Sequence, residues 1–164
     1  MRLSEHVIIS APRQLVWDYV IEPANALHYM SGVTRWEVQG ARAKGLSARY
    51  RALFRVGAAE VGGLIEVVEF DEPCDLAWSS VTGIDQRGRW RLRELADDRT
   101  RVEFRLAYGV AGAGIAGLIA EAVAAPTMGR HLRRTLHQLK RQVEHEKLRA
   151  DAARRRAERA KTAA

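Results

Sequence analysis

The segment that most constrains this chain is its last long one, residues 114–147. It opens as an almost uncharged apolar run, Gly114-Ile115-Ala116-Gly117-Leu118-Ile119-Ala120-Glu121-Ala122-Val123, and closes as a basic amphipathic one, His131-Leu132-Arg133-Arg134-Thr135-Leu136-His137-Gln138-Leu139-Lys140-Arg141. Leu118, Ala122, Ala125, Leu132, Leu136, Leu139 and Val143 recur at steps of three, four and seven, the pattern of a helix with one buried face. Nearly everything before it reads as β-strand. The expected arrangement is a curved sheet wrapped around this helix, with the space left between them as the place where the protein acts.

Pro126 falls inside the helical pattern, and proline removes a backbone donor and clashes with the preceding turn. The pattern therefore predicts one segment over 114–124, a pliable lid, and a long gripped helix over 127–147. Residues 149–164 are rich in Ala, Arg and Lys and have no wide apolar stripe, which predicts a frayed or disordered tail. The domain organisation is then a single ligand-binding domain over 1–147 followed by a basic tail over 148–164.

The chain of 164 residues is long enough to bury a core without covalent staples. Cys74 is the only cysteine, so no intramolecular disulfide forms, and no second Cys or His close in sequence makes it a metal ligand or nucleophile. The first residues lack the charged region, apolar run and small-residue cleavage site of an export signal, which predicts a cytoplasmic protein. The apolar stretch 109–120 is interrupted by Glu121 and closed by Arg130, short of the ~20 residues a spanning helix needs.

Charge is unevenly spread. Residues 126–164 hold 12 Lys and Arg against 4 Asp and Glu, a net +8, whereas residues 1–125 hold 15 against 16, a net −1. A basic half-helix and tail attract polyanions, but no aromatic residues are interleaved there to stack on bases. The reading is a solvated helix face, no nucleic-acid partner, and at most weak contact with anionic surfaces through the tail.

Upstream, residues 3–10 form a β-prone run stopped by Ala11-Pro12. Pro12 suits the first turn of a helix capped by Ser10, with Leu15, Val16, Tyr19 and Val20 as its stripe. Pro23 ends that helix, and a second short one is predicted over 24–30. From Val33 the period changes to two, predicting strands over 34–40, 46–55, 60–70, 76–81, 86–95 and 100–108. Leu46, Ala48, Tyr50, Ala52 and Phe54 share one face, as do Gly88, Trp90 and Leu92, and again Val102, Phe104, Leu106 and Tyr108. Arg87, Arg89, Arg91 and Arg93 then lie outside, with Glu103 expected across from them. Gly62-Gly63 predicts a bulge or bend.

Strand, two short helices, about six further antiparallel strands and a long helix make an α+β chain. That order, with Ser10-Ala11-Pro12-Arg13-Gln14-Leu15-Val16-Trp17-Asp18-Tyr19-Val20, Glu22-Pro23 and Met30-Ser31-Gly32-Val33, resembles the START-like, helix-grip (SRPBCC) superfamily. That group includes polyketide cyclases, coenzyme Q binding proteins and the birch-pollen allergens. Glu66-Val67-Val68-Glu69-Phe70-Asp71-Glu72-Pro73, Leu76-Ala77-Trp78, Gly88-Arg89-Trp90 and Thr100-Arg101-Val102 look like the family's strands and turns. The likeness covers residues 3–146 and implies a curved sheet of about seven strands around the C-terminal helix, with a cavity between them. It carries over no catalytic residue, because the matching positions are mainly structural.

For the sheet wall of such a cavity the dry faces nominate Tyr50, Phe54, Trp78, Trp90, Phe104 and Tyr108; for the helix wall, Leu118, Met128, His131 and Leu132. Inward aromatics are commonly plain core, and the same residues with a few hydroxyl and indole donors also make a ligand pocket. Gly112-Ala113-Gly114-Ile115-Ala116-Gly117 spells G-x-G-x-x-G, but no parallel strand or acidic residue follows where a dinucleotide site needs them; tight packing or the lid accounts better for these glycines. The facing of Glu60 and Glu66 is ambiguous. No metal site, cofactor or catalytic motif is called for. The expected function is binding, or transport, of an apolar or amphipathic small molecule such as a lipid, isoprenoid or polyketide, by a monomer or homodimer. A cyclase, aromatase or dehydratase using Tyr50, Tyr108 or His131 for proton transfer is the enzymatic alternative, and an RNA, membrane or protein interaction module on the basic helix is the third.

Overall fold

The chain is described here from a computed structural model that covers residues 1–109 and 114–162, without the side chains of residues 56 and 114–125. The elements run β1 (Arg2–Ile9), α1 (Arg13–Ile21), a 3-10 turn (Pro23–Asn25), α2 (Ala26–Tyr29), β2 (Val33–Gln39), β3 (Arg49–Val56), β4 (Ala59–Asp71), β5 (Asp75–Ser80), β6 (Asp85–Leu95), β7 (Arg99–Gly109) and α3 (Gly114–Thr162). Among the described residues, seven strands make one antiparallel sheet in the order β1-β7-β6-β5-β4-β3-β2. Apart from β1, which returns to pair with β7, each strand lies beside its sequence neighbour. Short turns suffice for such a meander, and its two faces follow directly from the period-two alternation.

The dry face packs on α3. Ile65, Val67, Trp78, Trp90, Leu92, Val102, Phe104 and Leu106 from the sheet, and Met128, Leu132, Leu136, Leu139 and Val143 from the helix, belong to one buried cluster. The stripe anticipated from Leu132 onward is the face that packs. Helix α1 closes one end, with Val16 and Trp17 fully buried and the Trp17 ring set edge-on against Phe70 at 5.1 Å.

Several local expectations change. Helix α3 is a single element through Pro126, not two segments; Pro126 is exposed, so solvent can satisfy the one backbone group its ring leaves unpaired. The helix also runs on to Thr162 rather than fraying after Lys147, although its last core member is Val143 and Leu148 is 64% exposed. Ser10 does not cap α1. Its backbone N–H donates to Glu144 Oε1 at 2.8 Å, and Pro12 takes the cap position without a side-chain bond. Leu46 is 52% exposed, because Ser47 takes a positive φ of 65° and β3 begins only at Arg49, which breaks the alternation before it reaches residue 46.

The irregularity in β4 also sits elsewhere. Register with β3 is unbroken through Gly62 and Gly63, and the slip occurs against β5 between Val67 and Glu69. The two glycines serve close approach instead: a Cβ on Gly63 would lie 2.0 Å from the Thr82 carbonyl oxygen and one on Gly62 2.1 Å from that of Ala52. A side chain at Gly63 would drive the β5–β6 turn off the sheet, and one at Gly62 would push against the backbone of β3.

Candidate ligand site between the sheet and the long helix

Trp78 on β5 is the centre of the interior. Its six-membered ring fills the space over Gly88, the residue directly opposite on β6. Trp36 meets it edge-on at 6.3 Å and stacks on Tyr50 at 5.1 Å, while Phe104 lies 5.9 Å away and itself stacks on Trp90 at 4.0 Å with planes 7° apart. Rings in contact at these offsets hold one another in fixed rotamers.

Two internal spaces flank this group. One, of about 40 Å³, lies under α3 and is lined by Val33, Ala52, Phe54, Gln86, Phe104, Leu106, Met128, His131, Leu132 and Thr135, among others. The second, of about 30 Å³, lies toward α1 and is lined by Tyr29, Tyr50, Ile65, Val67 and Trp90. Met30, Trp36 and Trp78 line both and form the partition between them. Each is about the size of a water molecule, against the roughly 300–1,000 Å³ of small-molecule pockets.

The walls are apolar with a few polar groups set into them. Trp78 Nε1 and Gln86 Nε2 are both buried without a hydrogen-bond partner among the described residues. On the helix side, Thr135 Oγ1 accepts the Ser31 backbone N–H at 2.9 Å, and Ser31 Oγ lies 3.0 Å from His131 Nδ1. The imidazole lies flat against Gly32, whose φ of +84° and missing Cβ leave room for it; a Cβ there would be 2.8 Å from the ring. Burial, then the charges of Arg134 and Arg130, lower the His131 pKa below its ordinary 6.5, so at neutral pH the ring is uncharged. The loop joining α2 to β2 is thus fastened to α3 by a neutral histidine and a buried threonine.

The nominated residues fall into groups. Phe54, Trp78, Phe104, Met128, His131 and Leu132 surround the first space, and Tyr50, Trp78 and Trp90 the second. Tyr108 lines neither; its hydroxyl is 3.4 Å from Met1 Sδ at the sheet edge. Leu118 and the run 112–117 lie outside the described side chains. The Tyr50 hydroxyl donates to the Ala43 carbonyl at 2.7 Å, and burial, followed by the nearby Glu22 charge, pushes its pKa up to about 12. Its proton is therefore engaged and firmly held. Glu66 pairs with Arg49 at 2.6 Å and Glu60 with Arg55 at 3.6 Å, both outside the interior. Sequence reasoning missed Trp36, Gln86, Ser31 and Thr135. Gln86 carried a usable signal, since it continues the inward parity of Gly88, Trp90 and Leu92.

No group of three or more His, Cys, Asp or Glu side chains is placed to hold a metal ion among the described residues. No helix among them is long and apolar enough to cross a membrane.

Comparison with solved structures identifies the architecture. A protein from Thermus thermophilus superposes with a TM-score of 0.74 at 21% identity, covering 87% of this chain and 97% of its own. The Zhui aromatase/cyclase from a Streptomyces species does so with 0.75 at 16% identity, covering 88% and 93%. The di-domain aromatase/cyclase StfQ of the steffimycin biosynthetic pathway gives 0.65 at 18% identity, with 91% of this chain matched to 46% of that one. These likenesses establish the helix-grip fold. No curated protein sequence matches the chain. The family described as polyketide cyclase / dehydrase and lipid transport matches residues 1–144, and the chain belongs to that family.

Proposed function

We propose that the chain binds a flat, largely apolar small molecule carrying at least one hydrogen-bond acceptor, of the polyketide or isoprenoid-quinone kind, between the sheet and α3. The observation that carries this reading is the pair of buried donors, Trp78 Nε1 and Gln86 Nε2, left without partners beside an apolar space. An unsatisfied buried donor costs about 1–3 kcal/mol, and a ligand carbonyl in the space would recover that cost. Family membership and the aromatase/cyclase fold likeness support the same ligand class. Because Met30, Trp36 and Trp78 separate the two small spaces, and the two indoles are held in the ring stack, a ligand enters by turning the Met30 side chain and joining the spaces past it. Methionine suits that role, being unbranched and adaptable in rotamer. Native mass spectrometry of the purified protein, followed by titration with a hydroxyanthraquinone, tests the reading. One-to-one binding that weakens about tenfold in Gln86→Leu, the worth of one hydrogen bond to a buried donor, is expected; a closed interior with no copurifying or titratable ligand refutes it.

A second reading, cyclisation or dehydration of a bound polyketide, is favoured by the neutral His131 beside Ser31 on the wall of the same space. A neutral imidazole oriented by a hydroxyl is suited to take a proton from a carbon next to a carbonyl. Turnover lost in His131→Gln with ligand affinity retained supports that step; unchanged turnover removes it.

A further inference from the structure

A wider concavity than either interior space lies on the other side of the sheet. A groove of about 750 Å³ lies over the wet face of β5, β6, β7 and β1, within the size range of small-molecule pockets. Register explains why a meander with one solvated face has a hollow there. Across one row the outward residues are Ser79, Arg87, Ala107 and Arg2; across the next they are Glu69, Ala77, Arg89, Arg105 and Ser4. Ala107 and Ala77 are the short positions among long arginines, and they form the floor. The slip in β4 leaves Val68 54% exposed at the far end.

The charges at this site are unevenly satisfied. Arg89 is held by Glu69 with Nη1 to Oε1 at 2.9 Å, and Arg105 by Glu103 at 2.8 Å. Arg2 and Arg87 have neither an ion pair nor a side-chain hydrogen bond among the described residues. They stand on either side of Ala107, two strand spacings apart, which is roughly 10 Å between backbones. That separation lets both guanidinium groups reach one anion over the alanine. From there the floor runs diagonally to Ala77, roughly 12 Å away by strand spacing and rise, and on toward Val68.

We propose that this groove is a second binding site, separate from the interior, for a small amphipathic anion whose phosphate or carboxylate head lies between Arg2 and Arg87 and whose apolar body lies over Ala107 and Ala77 toward Val68. The head is recognised by paired guanidinium donors, which match the geometry of both oxyanions. The body is recognised by methyl groups and by the aliphatic stems of Arg89 and Arg105.

Octyl phosphate below its micellar concentration is the probe, titrated into the full chain while backbone and arginine Nε amide shifts are recorded. Saturable binding is expected, with shifts confined to outward positions of β1, β5, β6 and β7 and to Val68 and Glu69 of β4, and affinity falling as salt rises. Arg2→Gln and Arg87→Gln are each expected to weaken binding about tenfold, as loss of a charged hydrogen-bonding partner does, and Arg87→Lys to restore part of it. Octanoate in place of octyl phosphate tells the two head groups apart; binding of either supports the site. Inorganic phosphate binding as tightly as octyl phosphate would overturn the proposal, because the apolar floor would then contribute nothing. Shifts at Gln86 and Trp78 in place of the outer face, or affinity indifferent to both arginine substitutions, would overturn it equally. Both variants alter exposed side chains, so the amide spectrum itself reports that the fold is kept.

Discussion

Gly88 and Trp78 share one space: they face each other across β5 and β6, and a Cβ on residue 88 would lie 1.9 Å from Trp78 Cζ2. The indole cannot retreat, since Trp36 and Phe104 pack against it. Gly88→Ala is therefore expected to destabilise the protein by about 3 kcal/mol, the upper range for overpacking a rigid core, read from the midpoint of a denaturant titration. A loss below about 1 kcal/mol would mean that the ring moves freely, contrary to this packing.

Asp75 is the buried anion of the sheet's outer face, 7% exposed, with Arg91 at 2.9 Å, Arg93 at 2.7 Å and Arg89 at 3.6 Å. Burial alone would raise its pKa; hydrogen bonds from Arg91 and Arg93, with their charges, outweigh it and hold the carboxyl below the usual range. A depressed folded-state pKa stabilises above the unfolded value near ~3.9 and the benefit is lost as pH falls through the folded value. Asp75→Asn is expected to lower stability by about 1–2 kcal/mol at pH 7, discounted because the arginines are partly solvated. Thermal melts at descending pH check the sign: the gap between wild type and variant should close below pH ~4.

His131 acts with the same sign in a higher pH window. Its folded-state pKa is lowered by burial and by Arg134 and Arg130, so the unfolded chain binds a proton first as pH falls through about 6.5. Stability is full above that value and declines below it. Melting temperatures between pH 7.5 and 5.5 should fall in the wild type and fall less in His131→Gln. An equal decline in both would place the titrating group elsewhere.

Gly32→Ala tests the fastening of the α2–β2 loop. The substitution meets both a positive φ and the His131 ring, and should speed amide exchange at Ser31 and Val33 by tenfold or more, the effect of about 1.4 kcal/mol or more of local destabilisation. Unchanged exchange would show that the histidine contact does not hold the loop.

The sheet was legible because β6 and β7 alternate cleanly, and one wet face against one dry face leaves a single register that buries Trp90, Leu92, Val102 and Phe104. The long helix was legible from Leu132 to Val143 for the same reason at a different period. What sequence left unread depends on contacts between distant residues. Ser10 looks like a helix cap until Glu144, 134 positions on, takes its N–H. Leu46 fits the alternation until the backbone turns at Ser47. Gly62-Gly63 suggests a bulge, but what demands glycine there is the backbone of β3 against Gly62 and the β5–β6 turn against Gly63. The site was half legible: its aromatic walls follow from parity, whereas the unpartnered state of Gln86 and Trp78 depends on what surrounds them in space.

The central claim is that those two donors await a ligand acceptor, and their own proton resonances report it most directly. On titration with a hydroxyanthraquinone, the Trp78 indole N–H and the Gln86 side-chain amide are predicted to move downfield together and saturate at one equivalent. Binding that leaves both resonances in place, or no binding at all, would contradict the account.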